Sequence, residues 1–319
     1  MKLTTFKVGT GSEQRLGALL KENEIMLDLN YVYASYNGLK PEEAAKDVPP
    51  DMLALLRLGN PAIGRLHEMM YRIQQELTFG TFKPKMGKQT IAYELRDVRL
   101  CAPIAHPPKN IFCLAVNYPD HAQEGGRPPP ENPVLFTKPW TSIVATEDPV
   151  IYPKNASKLD YEAELAVVMG RKGRRIPEDE AYDYLAGYTI LNDISERDIQ
   201  FKDRQFFRGK GFDTFAPMGP YVVTKDEIPD PQNLKIQLRV NGEVRQNGST
   251  MNMIFKIPYI ISFISDSITL EPGDVISTGT PGGVGIYAKP EPRLLKPGDV
   301  VEAEIESIGI LRNYIKEET

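Results

Sequence analysis

The sequence is poor in the residues that most often announce a chemistry. Its 319 residues hold three histidines (His67, His106, His121), two cysteines (Cys101, Cys113) and one tryptophan. So few histidines, and cysteines without ligand spacing, exclude a conventional zinc site; any metal must be held largely by carboxylates. Two cysteines cannot build a disulfide framework, which fits a reducing compartment. No apolar run reaches the roughly 18–20 residues of a membrane span. The opening stretch MKLTTFKVGTGSEQR lacks the apolar core of a secretory leader, so a cytoplasmic protein is expected. Basic residues are not in excess either: 38 Lys and Arg face 43 Asp and Glu, for a net charge of −5. Nucleic acid and membrane surfaces are therefore poor partners. The G-x-S-x-G elbow, the H-E-x-x-H zinc motif and the GxxxxGK phosphate loop are all missing.

What remains is a globular composition, 41% hydrophobic and 25% charged, in a chain long enough for one large or two ordinary domains. Residues 4–8 and 15–20 read as strands. Residues 52–58 and 62–77 read as amphipathic helices, the second with Ile63, Leu66, Met70 and Ile73 at helical spacing. Pro103, Pro107 and Pro108 then break the pattern. The break divides the chain into an accessory region, 1–104, and a second domain, 105–319, that is richer in strands. Apolar runs at 109–116, 134–138 and 165–169 read as strands. Residues 177–186 read as a short helix closed by Gly187, and 255–268 as a longer one. Asn241-Gly242 between two alternating runs predicts a tight hairpin. LEPGDV and LKPGDV, 25 residues apart, read as two copies of a strand-launching turn.

Five segments could carry chemistry. Asp160, Glu162 and Glu164 alternate into an apolar strand, which puts them on one face. Carboxylates crowded there would be relieved by a hard cation such as Mg²⁺, Mn²⁺ or Ca²⁺. In NDISERDIQ (192–200), Ser195 with Asp198 is a weak N-cap pattern; Asp193 precedes the helix, and Arg197 and Gln200 share one of its faces. Lys210 lies between Gly209 and Gly211, which relax the backbone around it. His121 and Glu124 stand three apart, spacing that lets a carboxylate orient a histidine base. GTPGGVG (279–285) fails as a dinucleotide loop because KPEP follows in place of a helix; its backbone N–H groups and the Thr280 hydroxyl could hold a small anion.

In this order, NYPDHAQE, FTKP, DYEAELAVVMG, NDISERDIQ, RGKGFDTFAPMGP, VNGEVRQ and LEPGDVISTGTPGGVG resemble the fumarylacetoacetate hydrolase family over about residues 105–315. The resemblance implies an α+β, mainly β fold, with a mixed β-roll catalytic domain and a smaller N-terminal domain, working as a homodimer. It implies a divalent metal, Mg²⁺ or Mn²⁺ with Ca²⁺ as an alternative, on Glu162, Glu164 and Asp193. Asp160 is not a ligand in that pattern. His121 and Glu124 match the family's lid dyad. Lys210, Arg197, Gln200 and Thr280 match positions that hold substrate or its developing charge. One departure stands out: fumarylacetoacetate hydrolase itself has a further carboxylate ligand shortly before the catalytic histidine, where this chain has CLAVN (113–117). That argues against fumarylacetoacetate as substrate.

The activity implied is metal-dependent cleavage of a C–C bond in a 2,4-diketo acid (acylpyruvase type), with oxaloacetate decarboxylation alongside it. His121 would activate water, while the metal and Lys210 stabilise the departing enolate. The alternatives are isomerisation and decarboxylation of 2-hydroxyhepta-2,4-diene-1,7-dioate, which uses the same enolate, and a non-catalytic member that binds a metal or keto acid.

Overall fold

A computed structural model describes residues 1–9, 11, 13–20 and 24–319. The chain is mostly sheet. One twelve-stranded mixed sheet runs in the order Ala92–Glu94, Ile25–Asp28, Arg15–Leu20, Lys2–Val8, Ala216–Thr224, Leu185–Asn192, Ala163–Met169, Val275–Ser277, Ile111–Leu114, Leu135–Lys138. Two further strands, Val98–Cys101 and Ile143–Val144, pair with Lys2–Val8 and Ala216–Thr224 off this path. The N-terminal strands therefore continue the sheet that carries the acidic segment, through Lys2↔Val223 and Leu3↔Val222. A second sheet orders Pro149–Tyr152, Gly309–Glu317, Val300–Ile305, Lys235–Val240 and Glu243–Ser249.

The Ala163–Met169 strand is buried throughout, and its two faces belong to different cores. Leu165, Val167 and Met169 join a cluster with Ile236, Leu238, Val301 and Ile305 of the second sheet and with Ile260 and Ile264 of the Ile257–Ser267 helix. Ala166 and Val168 face the other way. They pack in a cluster with Leu55, Leu66 and Ile73 from the Met52–Leu58 and Asn60–Thr78 helices. Burial on both sides explains the unbroken apolar run, since alternation is expected only where one face meets water. It also fixes the register: a slip of one residue would exchange the faces and carry Glu164 into the wrong core.

The hairpin and both strand-launching turns form as read. Asn241 and Gly242 take φ of 52° and 80°, and Gly273 and Gly298 take 90° and 94° at the turns before Val275–Ser277 and Val300–Ile305. The expected helix over 177–186 does not form. Glu178–Tyr184 is a run of 3-10 turns, and Leu185 already begins the Leu185–Asn192 strand. Gly187 is not a helix cap. It lies inside that strand, where a Cβ would stand 2.1 Å from the Val223 carbonyl oxygen, so glycine is there for close strand approach. Among the described residues, no helix is long and apolar enough to cross a membrane.

Candidate active site

The site forms where the acidic end of the Ala163–Met169 strand meets the end of its neighbour, Leu185–Asn192. Ala163 pairs with Asn192, and the Asp193 amide donates to the Glu162 carbonyl at 2.8 Å. That pairing brings Glu162, Glu164 and Asp193 together, all buried, with one carboxylate oxygen of each within 4.8 Å of the others.

Three buried cations answer them. Lys210 Nζ donates to Glu162 Oε2 at 2.8 Å and to Asp193 Oδ2 at 2.5 Å. Arg197 Nη2 lies 2.8 Å from both Glu162 Oε1 and Asp160 Oδ2. Lys138 Nζ meets Asp193 Oδ1 at 2.5 Å and the Ile194 carbonyl at 3.1 Å. The consequences differ from acid to acid. Burial would raise the Glu162 carboxyl, but Lys210 and Arg197 outweigh it and hold it at about 2. Burial and the neighbouring Asp193 and Glu162 instead drive the Glu164 carboxyl well above the usual carboxylate range. Burial lowers Lys210, yet Asp193 and Glu162 overcome it and raise the ammonium to about 12.

Glu164 accepts through Oε2 from Ser277 Oγ at 2.5 Å and from the Gly279 amide at 3.0 Å. Its other oxygen, Oε1, is buried with no hydrogen-bond partner. An orphaned oxygen on the most crowded carboxyl of an all-oxygen cluster is what a hard divalent cation would complete. The residues present therefore fit the group the family implies.

Asp160, the weaker candidate ligand, has another task. It pairs with Arg197 Nε at 2.9 Å and accepts the Gly285 and Ile286 amides at 2.8 and 3.0 Å, which leaves it saturated and outside the triad. The Gly-rich turn is thus an anion holder, as its composition suggested, but its anions are the protein's own. Besides serving Glu164 and Asp160, it donates from Gly283 N to Glu124 Oε2 at 2.8 Å. Thr280 differs from its expected place. Its hydroxyl donates to the Ala163 carbonyl at 2.9 Å and accepts from Gln246, so it braces the acidic strand and does not line the cavity.

Two local readings need correction. The helix after Asp193 is capped by Glu196, whose side chain accepts from Asp198 N at 3.3 Å; Ser195 pairs instead in a short strand with Asp160. The glycines around Lys210 do not loosen a loop. Lys210 ends the Phe206–Lys210 helix, and a Cβ on Gly209 would stand 2.8 Å from the backbone nitrogen of Gln200, so this glycine lets two helices touch.

His121 lies on the Pro119–Glu124 helix, its Nδ1 2.8 Å from Glu124 Oε1. The contact leaves Nε2 of this nearly buried ring available on a side chain that lines a cavity of about 240 Å³. Glu162, Arg197, Gln200 and Lys210 line the same cavity, joined by Phe201, Phe206 and Tyr287. Sequence reasoning gave no role to Lys138. Its only signal was a lysine inside the apolar run VLFTKP, a position that demands a buried counter-charge.

The fumarylacetoacetate (FAA) hydrolase C-terminal family matches residues 110–316. The chain belongs to this family. Oxaloacetate tautomerase YisK of Bacillus subtilis is 48% identical over 236 residues, covering 73% of this chain and 78% of that one. Mitochondrial oxaloacetate tautomerase fahd2 of Xenopus laevis is 39% identical over 317 residues, 99% of this chain and 90% of its own. Among solved structures, the fumarylacetoacetate hydrolase of Exiguobacterium antarcticum superposes with a TM-score of 0.76 at 34% identity, covering both chains fully. The expected family and fold class are thereby established.

Proposed function

We propose that this chain is a divalent-cation-dependent enzyme of small 2-oxo acids whose principal reaction is keto–enol tautomerisation of an oxaloacetate-type substrate. Relatives named for that reaction, one of them similar along nearly the whole chain, support the substrate class. The observation that carries the reading is the His121–Glu124 pair, set in one cavity with Lys210 and Arg197. Glu162, Glu164 and Asp193 would hold Mg²⁺ or Mn²⁺, which when bound supplies Lewis-acid stabilisation of negative charge on the 2-oxo oxygen. The working form is proposed to be the homodimer the family resemblance implies.

His121 removes the proton from C3 of the keto acid through Nε2, and Glu124 stabilises the imidazolium that forms. Charge moves to the oxygen on C2, where Lys210, held ionised by its two carboxylate neighbours, provides a fixed positive field. The imidazolium then gives its proton to that oxygen. One proton has moved from carbon to oxygen, with no water consumed and no bond between carbons broken. Phe201, Phe206 and Tyr287 limit water around the base.

The same residues support C–C hydrolysis of a 2,4-diketo acid as a second reading, favoured by an oriented histidine that could equally deprotonate water. Oxaloacetate, acetylpyruvate and 2-hydroxyhepta-2,4-diene-1,7-dioate should be assayed side by side with Mn²⁺. Accelerated interconversion of oxaloacetate enol and keto forms is expected, lowered on the order of 10²–10⁴-fold in His121→Ala. Cleavage of acetylpyruvate without any acceleration of tautomerisation would replace the first reading with the second.

A further inference from the structure

The cavity is lined by four cations, Arg127, Arg197, Arg204 and Lys210, and by a single acid, Glu162. The inner two are committed: Arg197 to Asp160, Glu162 and Gln200, and Lys210 to Glu162 and Asp193. The outer two differ in kind. Arg127 and Arg204 are exposed, and among the described residues neither guanidinium has a carboxylate or any side-chain hydrogen bond. Both are placed by the elements that place the reactive groups. The Pro119–Glu124 helix, which carries His121, ends through Gly126 at φ 65°, and the amide of Arg127 then donates back to the Ala122 carbonyl at 3.0 Å. The Arg197–Asp203 helix, which carries Arg197 and Gln200, ends on Arg204 itself, in the left-handed region at φ 53°. That conformation suits glycine or asparagine, so an arginine there is held at some cost in backbone strain.

We infer that Arg204, together with Arg127, reads the distal carboxylate of the substrate, making the site selective for 2-oxo acids that carry a second acid group. The inference rests on the proposed 2-oxo acid chemistry and extends it to the far end of the molecule. The 2-oxo carboxylate end would lie inward, beside the buried charges. A monocarboxylate chain would leave two guanidinium groups at the mouth with nothing to bind. A dicarboxylate supplies their missing anion, and a guanidinium's planar fork can grip a carboxylate through two parallel hydrogen bonds.

Two stable probes of equal chain length separate the ends: 2-oxoglutarate, and 2-oxopentanoate, in which a methyl group replaces the distal carboxylate. Their affinities for the Mn²⁺-loaded protein are measured by calorimetry for wild type, Arg204→Gln, Arg204→Lys and Arg127→Gln/Arg204→Gln. Wild type should prefer 2-oxoglutarate. Arg204→Gln should lose about 10–100-fold on 2-oxoglutarate, the range expected for a charge-assisted hydrogen bond, with 2-oxopentanoate unchanged within about twofold. Arg204→Lys should recover part of the loss, and the double variant should abolish the preference. Turnover of oxaloacetate, measured in parallel, should show the loss in KM more than in kcat. Equal weakening of both probes, or a wild type indifferent to the distal group, overturns the inference. If the preference tracks Arg204 while oxaloacetate is not tautomerised, the carboxylate reader stands and the tautomerase reading falls.

Discussion

Lys138 offers the sharpest test of how the site is held. Its side chain is fully buried, and its ammonium bridges Asp193 and the Ile194 carbonyl. Lys138→Met keeps the length and roughly the volume of the side chain while removing the charge and both hydrogen bonds. Asp193 is left with Lys210 alone, in a pocket it still shares with Glu162 and Glu164. Breaking a buried ion pair from one side costs about 3–5 kcal/mol, because the remaining charge stays desolvated. For a chain of 319 residues the unfolding entropy is on the order of 0.7 kcal/mol/K, so Tm should fall by about 4–7 °C in chelator. A cation bound by the triad would restore positive charge beside Asp193, so saturating Mn²⁺ should narrow the gap between variant and wild type. Scanning calorimetry of both proteins, each in EDTA and in Mn²⁺, reads this directly. Arg99→Ala, which breaks the exposed pair with Asp148, serves as a control expected to move Tm little. A Lys138→Met protein within a degree of wild type in EDTA, or a gap untouched by Mn²⁺, would refute the reasoning.

Two further predictions follow from the acids. Glu164→Gln keeps the side chain's shape and mimics the uncharged carboxyl that burial, Asp193 and Glu162 favour; the metal-free protein should be about as stable as wild type, while stabilisation by Mn²⁺, read by thermal melts with and without the ion, and activity, read by assay, are both lost. Asp28 caps the Leu29–Asn37 helix from a buried position; burial lifts its carboxyl to about 6 against the opposing pull of Tyr31 N and Arg15. A raised carboxyl means the folded state holds the extra proton, so stability from this group is greatest below pH 4 and is lost as pH rises to 6, by about 3 kcal/mol. Urea titrations across that window should show the slope in wild type, and Asp28→Asn, which retains a capping oxygen, should flatten it.

Where residues and their neighbours agree locally, the sequence was a sufficient guide. The Asn241-Gly242 turn, the Met52–Leu58 helix and the strand after Glu162 each follow from a pattern a few residues long. The reading failed where a distant partner decides. Pro177 and Gly187 imitate the two ends of a helix, yet Gly187 answers to Val223, a residue of another strand. The site shows the same division. The same-face pairing of Glu162 with Glu164 comes from the strand's period, whereas Asp193 joins them only because Ala163 pairs with Asn192. Lys138 sits 55 residues from its partner, and nothing in its own segment says which acid it will meet. Asp160 shares the alternation of Glu162 and Glu164, but Arg197 and two amides of the Gly-rich turn claim it.

The arithmetic of the buried charges explains why such a costly centre is kept. Four carboxyl groups, Asp160, Glu162, Glu164 and Asp193, face three cations, Lys138, Arg197 and Lys210, all of them buried. A fold selected for stability alone would replace such a cluster with packed apolar side chains and lose nothing, often gaining. Here the three cations answer Asp160, Glu162 and Asp193, and the fourth carboxyl, Glu164, is driven by burial and its acidic neighbours toward its uncharged form, with an Oε1 that lacks any partner. A divalent cation that displaced the Glu164 proton would leave four carboxylates against three protein cations and the ion, one charge positive in all, a state suited to the carboxylate of the proposed 2-oxo acid and to the negative charge that would develop on its oxo oxygen. The asymmetry therefore favours the cation first and the anion second. The Gly-rich turn, by fixing Glu164, Glu124 and Asp160 through its own amides, keeps the unpartnered Glu164 carboxyl in place for that exchange of proton for cation.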